Sequence, residues 1–282
     1  MNQPATASAP ATTANLGPAF DTLALALHLR CTVTARTADE WQVEHIGAHR
    51  LAVDEADGVV AAAQRAIGDQ PLAMVVDNQI PLGRGLGSSA AAFVSGAAAA
   101  LRAVGADASP DRVFRIAAEM EGHAEQPAAA VYGGLVLIPA EGMPMRLPFH
   151  PSLRPIVAVP ASRLSTQEAR AVLPDTYPRE VLIRSLARMA ALTAGLTTGD
   201  PGMLAAAHGD ETHEAHRGDL TPEVGELIDV ARRAGALHAA RSGAGPSVVA
   251  IATSETASRV VEAFTRWGAE VIDEAVDTTG LV

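Results

Sequence analysis

Residues 81–92, PLGRGLGSSAAA, set a loop of three glycines and two serines directly against an alanine run. Alanine is the best helix former and glycine among the poorest, so a helix has to begin close to the serines. Ser88 or Ser89 is expected to cap it, and the helix to run to about Val104. Glycines let main-chain N–H groups approach a ligand closely. The start of a helix adds unpaired donors and a partial positive charge. Such a joint between loop and helix points to a bound anion.

Two well-known phosphate loops do not fit. A Walker A loop needs a lysine before its Ser or Thr, and Leu86-Gly87-Ser88 has none. A dinucleotide fingerprint needs G-x-G-x-x-G, whereas the glycines here fall at 83, 85 and 87. What is left is a Gly-Leu-Gly-Ser-Ser loop whose hydroxyls can cap the helix, touch phosphate oxygens or reach a metal. On these residues alone an ordinary capped helix after a tight turn remains open.

The rest of the chain bounds what that loop belongs to. Its 282 residues suffice for one large domain or two ordinary ones. Hydrophobic residues make up 48% but aromatic ones only 3%, so the core has to be built from Ala, Val, Leu and Ile. A formal charge of −11 without a basic stripe argues against a nucleic-acid partner. It leaves a phosphorylated ligand open, because charges are screened over roughly 8 Å at physiological salt. The single cysteine, Cys31, excludes an internal disulfide or a cysteine zinc site and reads as a small buried hydrophobe. MNQPATASAP lacks the regions of a secretory signal, and no stretch nears 18 uninterrupted apolar residues, so a cytoplasmic protein with no membrane partner is expected.

Local patterns predict helices at 58–68, 110–123, within 178–196, within 201–217, at 222–235 and at 255–268. Strands are expected in CTVTAR, LAMVVDNQI, YGGLVLIPA, IVAVPA, SVVAIAT and AEVIDEAV. PATASAPATTA reads as a lightly structured lead-in. The proline-rich lapse around 141–155 places a domain boundary there, dividing the chain into 1–148 and 149–282. His213 and His216 have a spacing that a metal site can use, but a helix face beside Arg217 accounts for them equally.

With Pro81, the glycine loop resembles the nucleotide-binding motif of the GHMP kinases, which phosphorylate small-molecule alcohols. PATTANLGPAFDTLALAL is similar to that superfamily's first motif in the form found in homoserine kinases, and RSGAGPSVVAI to its third. EGHAEQPAAAVYGGLVL and STQEARAVLP resemble two further homoserine kinase stretches, and the whole runs in order from residue 10 to 251. The resemblance implies the two-domain α+β GHMP kinase fold, with an N-terminal α/β domain carrying the phosphate loop and a C-terminal ferredoxin-like domain. It implies ATP-dependent phosphorylation of the side-chain hydroxyl of L-homoserine, with ATP and Mg2+, and it admits a homodimer.

Carried over residue by residue, the resemblance assigns the nucleotide to Pro81, Arg84, Gly85, Leu86, Gly87, Ser88, Ser89 and Ala90, and magnesium to Ser89 and Glu121. Arg170 and Arg217 match the carboxylate-binding arginines, for which a planar fork is well suited. Asp21 matches the ammonium position, Asn15 the hydroxyl end, and His123 and Gly243 further substrate contacts. Glu125 and Gln126 complete the catalytic set with Ser89 and Glu121. Glu125 can serve as a general base, although direct transfer without one fits a loose transition state equally well.

The pattern breaks in places. Homoserine kinases usually carry His-Pro-Asp-Asn where this chain has His123-Ala124-Glu125-Gln126, so two functional groups stand one methylene further out. Ala19 and Ala24 replace expected glycines, which strains the chain if Ala19 needs a positive φ. VLIRSLARMAAL matches only loosely. Because these departures surround the acceptor, two alternatives stay open. One is a related kinase acting on another amino-acid alcohol, such as threonine or a specialised-metabolite precursor. The other is a catalytically silent ligand-binding homologue.

Overall fold

A core made of alanine lets backbones come closer than larger side chains would allow, and the fold uses this throughout. The structure, a computed structural model, describes residues 3–51 and 56–282. Strand β1 (Ala5–Ala14) runs antiparallel to the long β2 (Leu23–Thr37). Next in the chain come β3 (Gln42–His45) and β4 (Leu72–Asn78), parallel to each other, with β4 antiparallel to residues 31–37 of β2. At the other end of β2, β5 (Leu135–Leu137) pairs with residues 23–25, and β6 (Met145–Leu147) pairs with β5. Helices α1 (Gly58–Ile67), α2 (Ser88–Ala103), α3 (Pro110–Glu121) and α4 (Glu125–Tyr132) accompany this sheet.

The stretch expected to be a lightly structured lead-in is therefore β1, buried from Ala7 to Ala14. Its Ala, Ser and Thr side chains are small enough to be covered on both faces. Pro10 falls where the register slips between Pro10 and Ala11, a place in a strand that tolerates a missing N–H. The helix after the glycine loop begins as expected, but no serine caps it. Gly87, left-handed at φ 64°, stands at the N-cap without a side-chain bond, which leaves both serine hydroxyls free for other partners.

The second sheet is antiparallel in the order β10-β7-β9-β8, with β7 (Leu153–Val159), β8 (His238–Arg241), β9 (Val248–Thr253) and β10 (Glu270–Ile272). Numbered from its own first strand this is the 4-1-3-2 order of a ferredoxin-like sheet. Between β7 and β8 lie α5 (Thr166–Ala171), α6 (Arg179–Thr198), α7 (Pro201–Ala206) and α8 (Glu223–Ala234), and α9 (Ala257–Trp267) precedes β10. The sheet is buried on both faces, so its strands read as apolar runs. Ile156, Ala158, Val248 and Ala250 face Leu227 and Phe264 of α8 and α9, while Val157, Val159, Val249 and Ile251 join the main core with Leu192, Leu196 and Leu204.

The helix expected within 201–217 is shorter. After α7 the Asp210 carboxylate accepts from the amides of Thr212, His213 and Glu214, at 3.1, 2.6 and 2.8 Å, and winds the chain into a separate turn that ends in a 3-10 segment, Ala215–Arg217. Residues 276–282 return to the first sheet, where Ser8 and Val282 exchange two backbone bonds and Asp277 pairs with Arg30.

Helices α1 and α2 cross at Gly96, where an added β-carbon would stand 2.6 Å from the Val59 carbonyl oxygen. Gly→Ala in a helix normally stabilises by up to about 1 kcal/mol. Here the sign should reverse. Gly96→Ala is expected to cost about 1–3 kcal/mol, read as a lower urea midpoint with an unchanged slope.

Candidate active site

Three loops from distant parts of the chain meet at the glycine loop. Gly83, Gly85 and Gly87 all have positive φ, at 65°, 74° and 64°. A β-carbon on Gly85 would stand 2.2 Å from the Ser242 carbonyl oxygen, and one on Gly87 would stand 1.9 Å from Thr12 Oγ1. The Ser242 hydroxyl donates to Gly85 O at 2.7 Å, Ser247 N to Arg84 O at 3.2 Å, and Thr12 N to Leu86 O at 3.0 Å. Asn15 Nδ2 closes the ring by donating to Gly243 O at 3.1 Å. Gln126 lies buried among them, its Oε1 accepting from Thr12 Oγ1 at 3.2 Å.

On one side of the loop opens a cavity of about 730 Å³. Leu51, Val59, Val76, Ala92 and Phe93 form its apolar wall, and Gly83, Ser88 and Ser89 its polar end. An apolar slot ending at a glycine loop and a helix start suits a planar base with phosphates. These wall residues escaped the sequence reading because nothing separates them from ordinary core residues. Pro81 and Leu86 are buried supports of the loop, and Ala90 lies buried in the first turn of α2. Arg84 does not bring its charge into the loop, because its guanidinium donates to the Pro160 carbonyl.

A cluster of titratable groups stands beside the helix start. Ser89 Oγ donates to Glu121 Oε1 at 2.6 Å. His123 Nε2 lies 3.7 Å from that same carboxylate oxygen, and its Nδ1 lies 3.2 Å from Glu125 Oε1. Burial raises the Glu121 pKa against the opposing effects of Ser89 and His123. For His123, burial disfavours the charged ring, but the close approach of Glu125 and the charges of both carboxylates outweigh it and its pKa is raised. Glu121 Oε2 and Glu125 Oε2 are buried without a hydrogen-bond partner. Unpartnered carboxylate oxygens beside a serine hydroxyl suit a hard cation such as Mg2+, which takes oxygen ligands. The longer side chains of the His-Ala-Glu-Gln segment therefore reach partners in two directions, His123 and Thr12.

Three of the residues expected to meet the acceptor, Asp21, Arg170 and Arg217, gather around Phe20. Asp21 and Arg170 face each other in a two-pronged pair, at 2.8 and 3.1 Å. Arg170 and Arg217 both lie over the Phe20 ring, at 5.4 and 5.6 Å from its centroid, and His213 stacks on it at 5.1 Å. Against the effect of burial, the bond to Asp21 and the charges of Asp21, Glu125 and Glu121 raise the Arg170 pKa, so the pair lies within electrostatic reach of the carboxylate cluster. Arg217 is buried, donates to Ala169 O at 2.9 Å and reaches toward Gly243 O at 3.5 Å. Burial, with Arg241 and Arg170 nearby, lowers its pKa to about 10, so it stays charged at neutral pH. Both nitrogens of His213 are engaged, one donating to Gly17 O and one accepting from Arg217, so its ring has no position for a metal. His216 instead packs edge-on against Tyr177.

Residues 54–134 match the family described as GHMP kinases N terminal domain, and residues 189–270 match GHMP kinases C terminal. The homoserine kinase of Clavibacter michiganensis subsp. michiganensis is 41% identical over 256 residues, covering 86% of this chain and 80% of its own. That of Thermus thermophilus is 39% identical over 265 residues, covering 92% and 90%. The crystal structure of homoserine kinase from Cytophaga hutchinsonii superposes with a TM-score of 0.88 at 28% identity, covering 100% of this chain and 98% of that one.

The turn that carries Asn15 is strained. Asn15, Leu16 and Gly17 all have positive φ, at 69°, 49° and 85°, as does Asp21 at 54°. Ala19, where strain is expected if alanine stands in for a required glycine, is not among them, and Ala24 is an ordinary buried residue of β2. Two histidines pin the turn: His238 Nε2 donates to Leu16 O and His213 Nε2 to Gly17 O, each at 2.8 Å. Burial pushes both rings down to about 4 from the usual 6.5. Between those values the unfolded chain binds protons that the folded chain does not, so stability falls as pH drops from 6.5 toward 4. The expected loss is on the order of 3 kcal/mol for His238, with His213 contributing in the same direction. Denaturant midpoints at pH 7.5, 5.5 and 4.5 check it, and His238→Asn should flatten the profile.

Proposed function

The chain belongs to the GHMP kinase family, and we propose that it transfers the γ-phosphoryl group of ATP to the side-chain hydroxyl of L-homoserine, giving O-phospho-L-homoserine for threonine biosynthesis. The observation that carries the acceptor reading is the Asp21–Arg170 pair beside the Ser89–Glu121–His123–Glu125 cluster. It offers one anion and one cation, close to a carboxylate cluster, as an α-amino acid with a hydroxyl requires. Homologues named homoserine kinase, 35–41% identical over most of the chain, support the same acceptor.

Phosphoryl transfer asks the protein mainly for positioning and neutralisation of charge. The amides of Gly85 to Ser89 hold the nucleotide phosphates at the positive end of α2. Ser89 and Glu121 hold Mg2+, which neutralises phosphate charge when bound. Arg170 and Arg217 fix the substrate carboxylate, Asp21 its ammonium and Asn15 its hydroxyl end, with His123 and Gly243 as further contacts. Glu125, kept in place by His123, accepts the hydroxyl proton. In this scheme residues 1–148 carry the nucleotide, and residues 149–282 bring Arg170, Arg217 and Gly243 to the acceptor.

An ADP-release assay across homoserine, threonine, serine and mevalonate tests the reading. Homoserine is expected to turn over fastest, and turnover only with another alcohol would reject it. Ser89→Ala and Glu121→Gln should raise the magnesium concentration needed for half-maximal rate. Glu125→Gln should lower kcat on the order of 10²-fold with both KM values nearly kept; an unchanged kcat would leave the residue only the orientation of His123. Arg217→Ala should raise the KM for homoserine at least tenfold, with nucleotide affinity retained in a binding titration.

A further inference from the structure

The chain contains no lysine, and all 21 of its Lys-or-Arg residues are arginines. The permanently charged side chains that could meet a phosphate are therefore arginines, and the one inside the glycine loop, Arg84, is committed to the Pro160 carbonyl. Among the described residues lining the cavity there is one arginine, Arg163. It lies in the link between β7 and α5, and its stem passes 3.8–3.9 Å from where a β-carbon on Gly83 would stand.

The backbone on which Arg163 sits is fastened on two sides. Leu164 N donates to Gly83 O at 3.2 Å, and the Leu164 side chain is buried with Ala169 and Ala244, the last from the third motif. The guanidinium itself has neither an ion pair nor a hydrogen bond with any described residue. A carboxylate on the same cavity wall, Glu168, is turned away into the cap of α5, where it accepts from Ser165 N and Oγ at 3.2 and 2.6 Å. Arg84 feels the neighbouring charge, its pKa lowered first by burial and then by Arg163. In a chain of net charge −11, an arginine at a cavity edge with no described acid paired to it makes a local site for an anion.

We infer that Arg163 contacts the nucleotide, binding the phosphate chain of the ATP seated on the glycine loop and supplying the charge that the loop lacks. The inference rests on the nucleotide reading of the cavity. A charge-assisted bond of this kind contributes about a factor of ten to binding.

Calorimetric titration with the Mg2+ complex of a nonhydrolysable ATP analogue, and in parallel with adenosine, tests it. Arg163→Ala should weaken the analogue about tenfold and leave adenosine unchanged. Arg163→Lys should recover part of the loss, and the KM for ATP should rise while that for homoserine stays constant. Equal analogue affinity in wild type and Arg163→Ala would overturn the inference and leave the nucleotide reading intact. So would an equal loss for adenosine, which would mean the variant had altered the cavity instead. A wild-type protein that fails to bind the analogue at all would sink the nucleotide reading and the role of Arg163 with it.

Discussion

Gly85 and Gly87 have no β-carbon, and the arrangement of the site depends on that absence. With one added at either position the chain would run into Ser242 or Thr12 at about 2 Å. Because the loops can close so far, segments separated by more than 200 residues share hydrogen bonds, as Asn15 and Gly243 do. Gln126 fills the remaining gap and touches Thr12. Reacting groups held by three interlocked loops keep their separation without help from the ligands, which is the condition for fast transfer between two bound molecules.

The same economy of side-chain volume shapes the scaffold. Helix α2 is buried along most of its length by alanines, so it lies close to both β1 and α1. A helix buried over so much of its surface brings its first residues, Ser88 and Ser89, to the edge of the cavity, where the unpaired amides of a helix start are available to a ligand. Strain is placed beside it, in the left-handed run from Asn15 to Gly17, and the two histidines from the second half of the chain hold it there. The uncharged state of those rings is what allows their burial, His238 with no acid beside it among the described residues and His213 with Asp210 at 3.7 Å.

Elements with a strong period or clear punctuation were legible in the sequence. The α1 helix between Asp57 and Gly68, the α3 helix behind Pro110 and the α9 helix before Gly268 all follow from caps and apolar spacing. Strand β1 was not: alanine alternates with Thr, Ser and Pro from Ala5 to Thr12, but alanine and proline are poor strand formers, and the burial comes from tertiary packing. The break after α7 was hidden because the Asp210 cap is visible only once its three amides are in place. In the site, Ser89, Glu121, His123, Asp21 and Arg170 stand in recognisable motifs and do come together. Apart from Ala92, the apolar cavity wall and Arg163 belong to no motif, and only the fold brings them to the loop.

Asp21 and Arg170 satisfy each other in the unliganded pocket, while the buried Arg217 beside them keeps its charge. A guest carrying both an ammonium and a carboxylate exchanges one ion pair for two and strands nothing. A guest with a carboxylate alone would capture Arg170 and orphan Asp21, and a simple amino alcohol would do the reverse. On the acceptor role proposed above, such a closed latch would filter for zwitterions, disfavouring monofunctional alcohols through the partner they leave behind rather than through size.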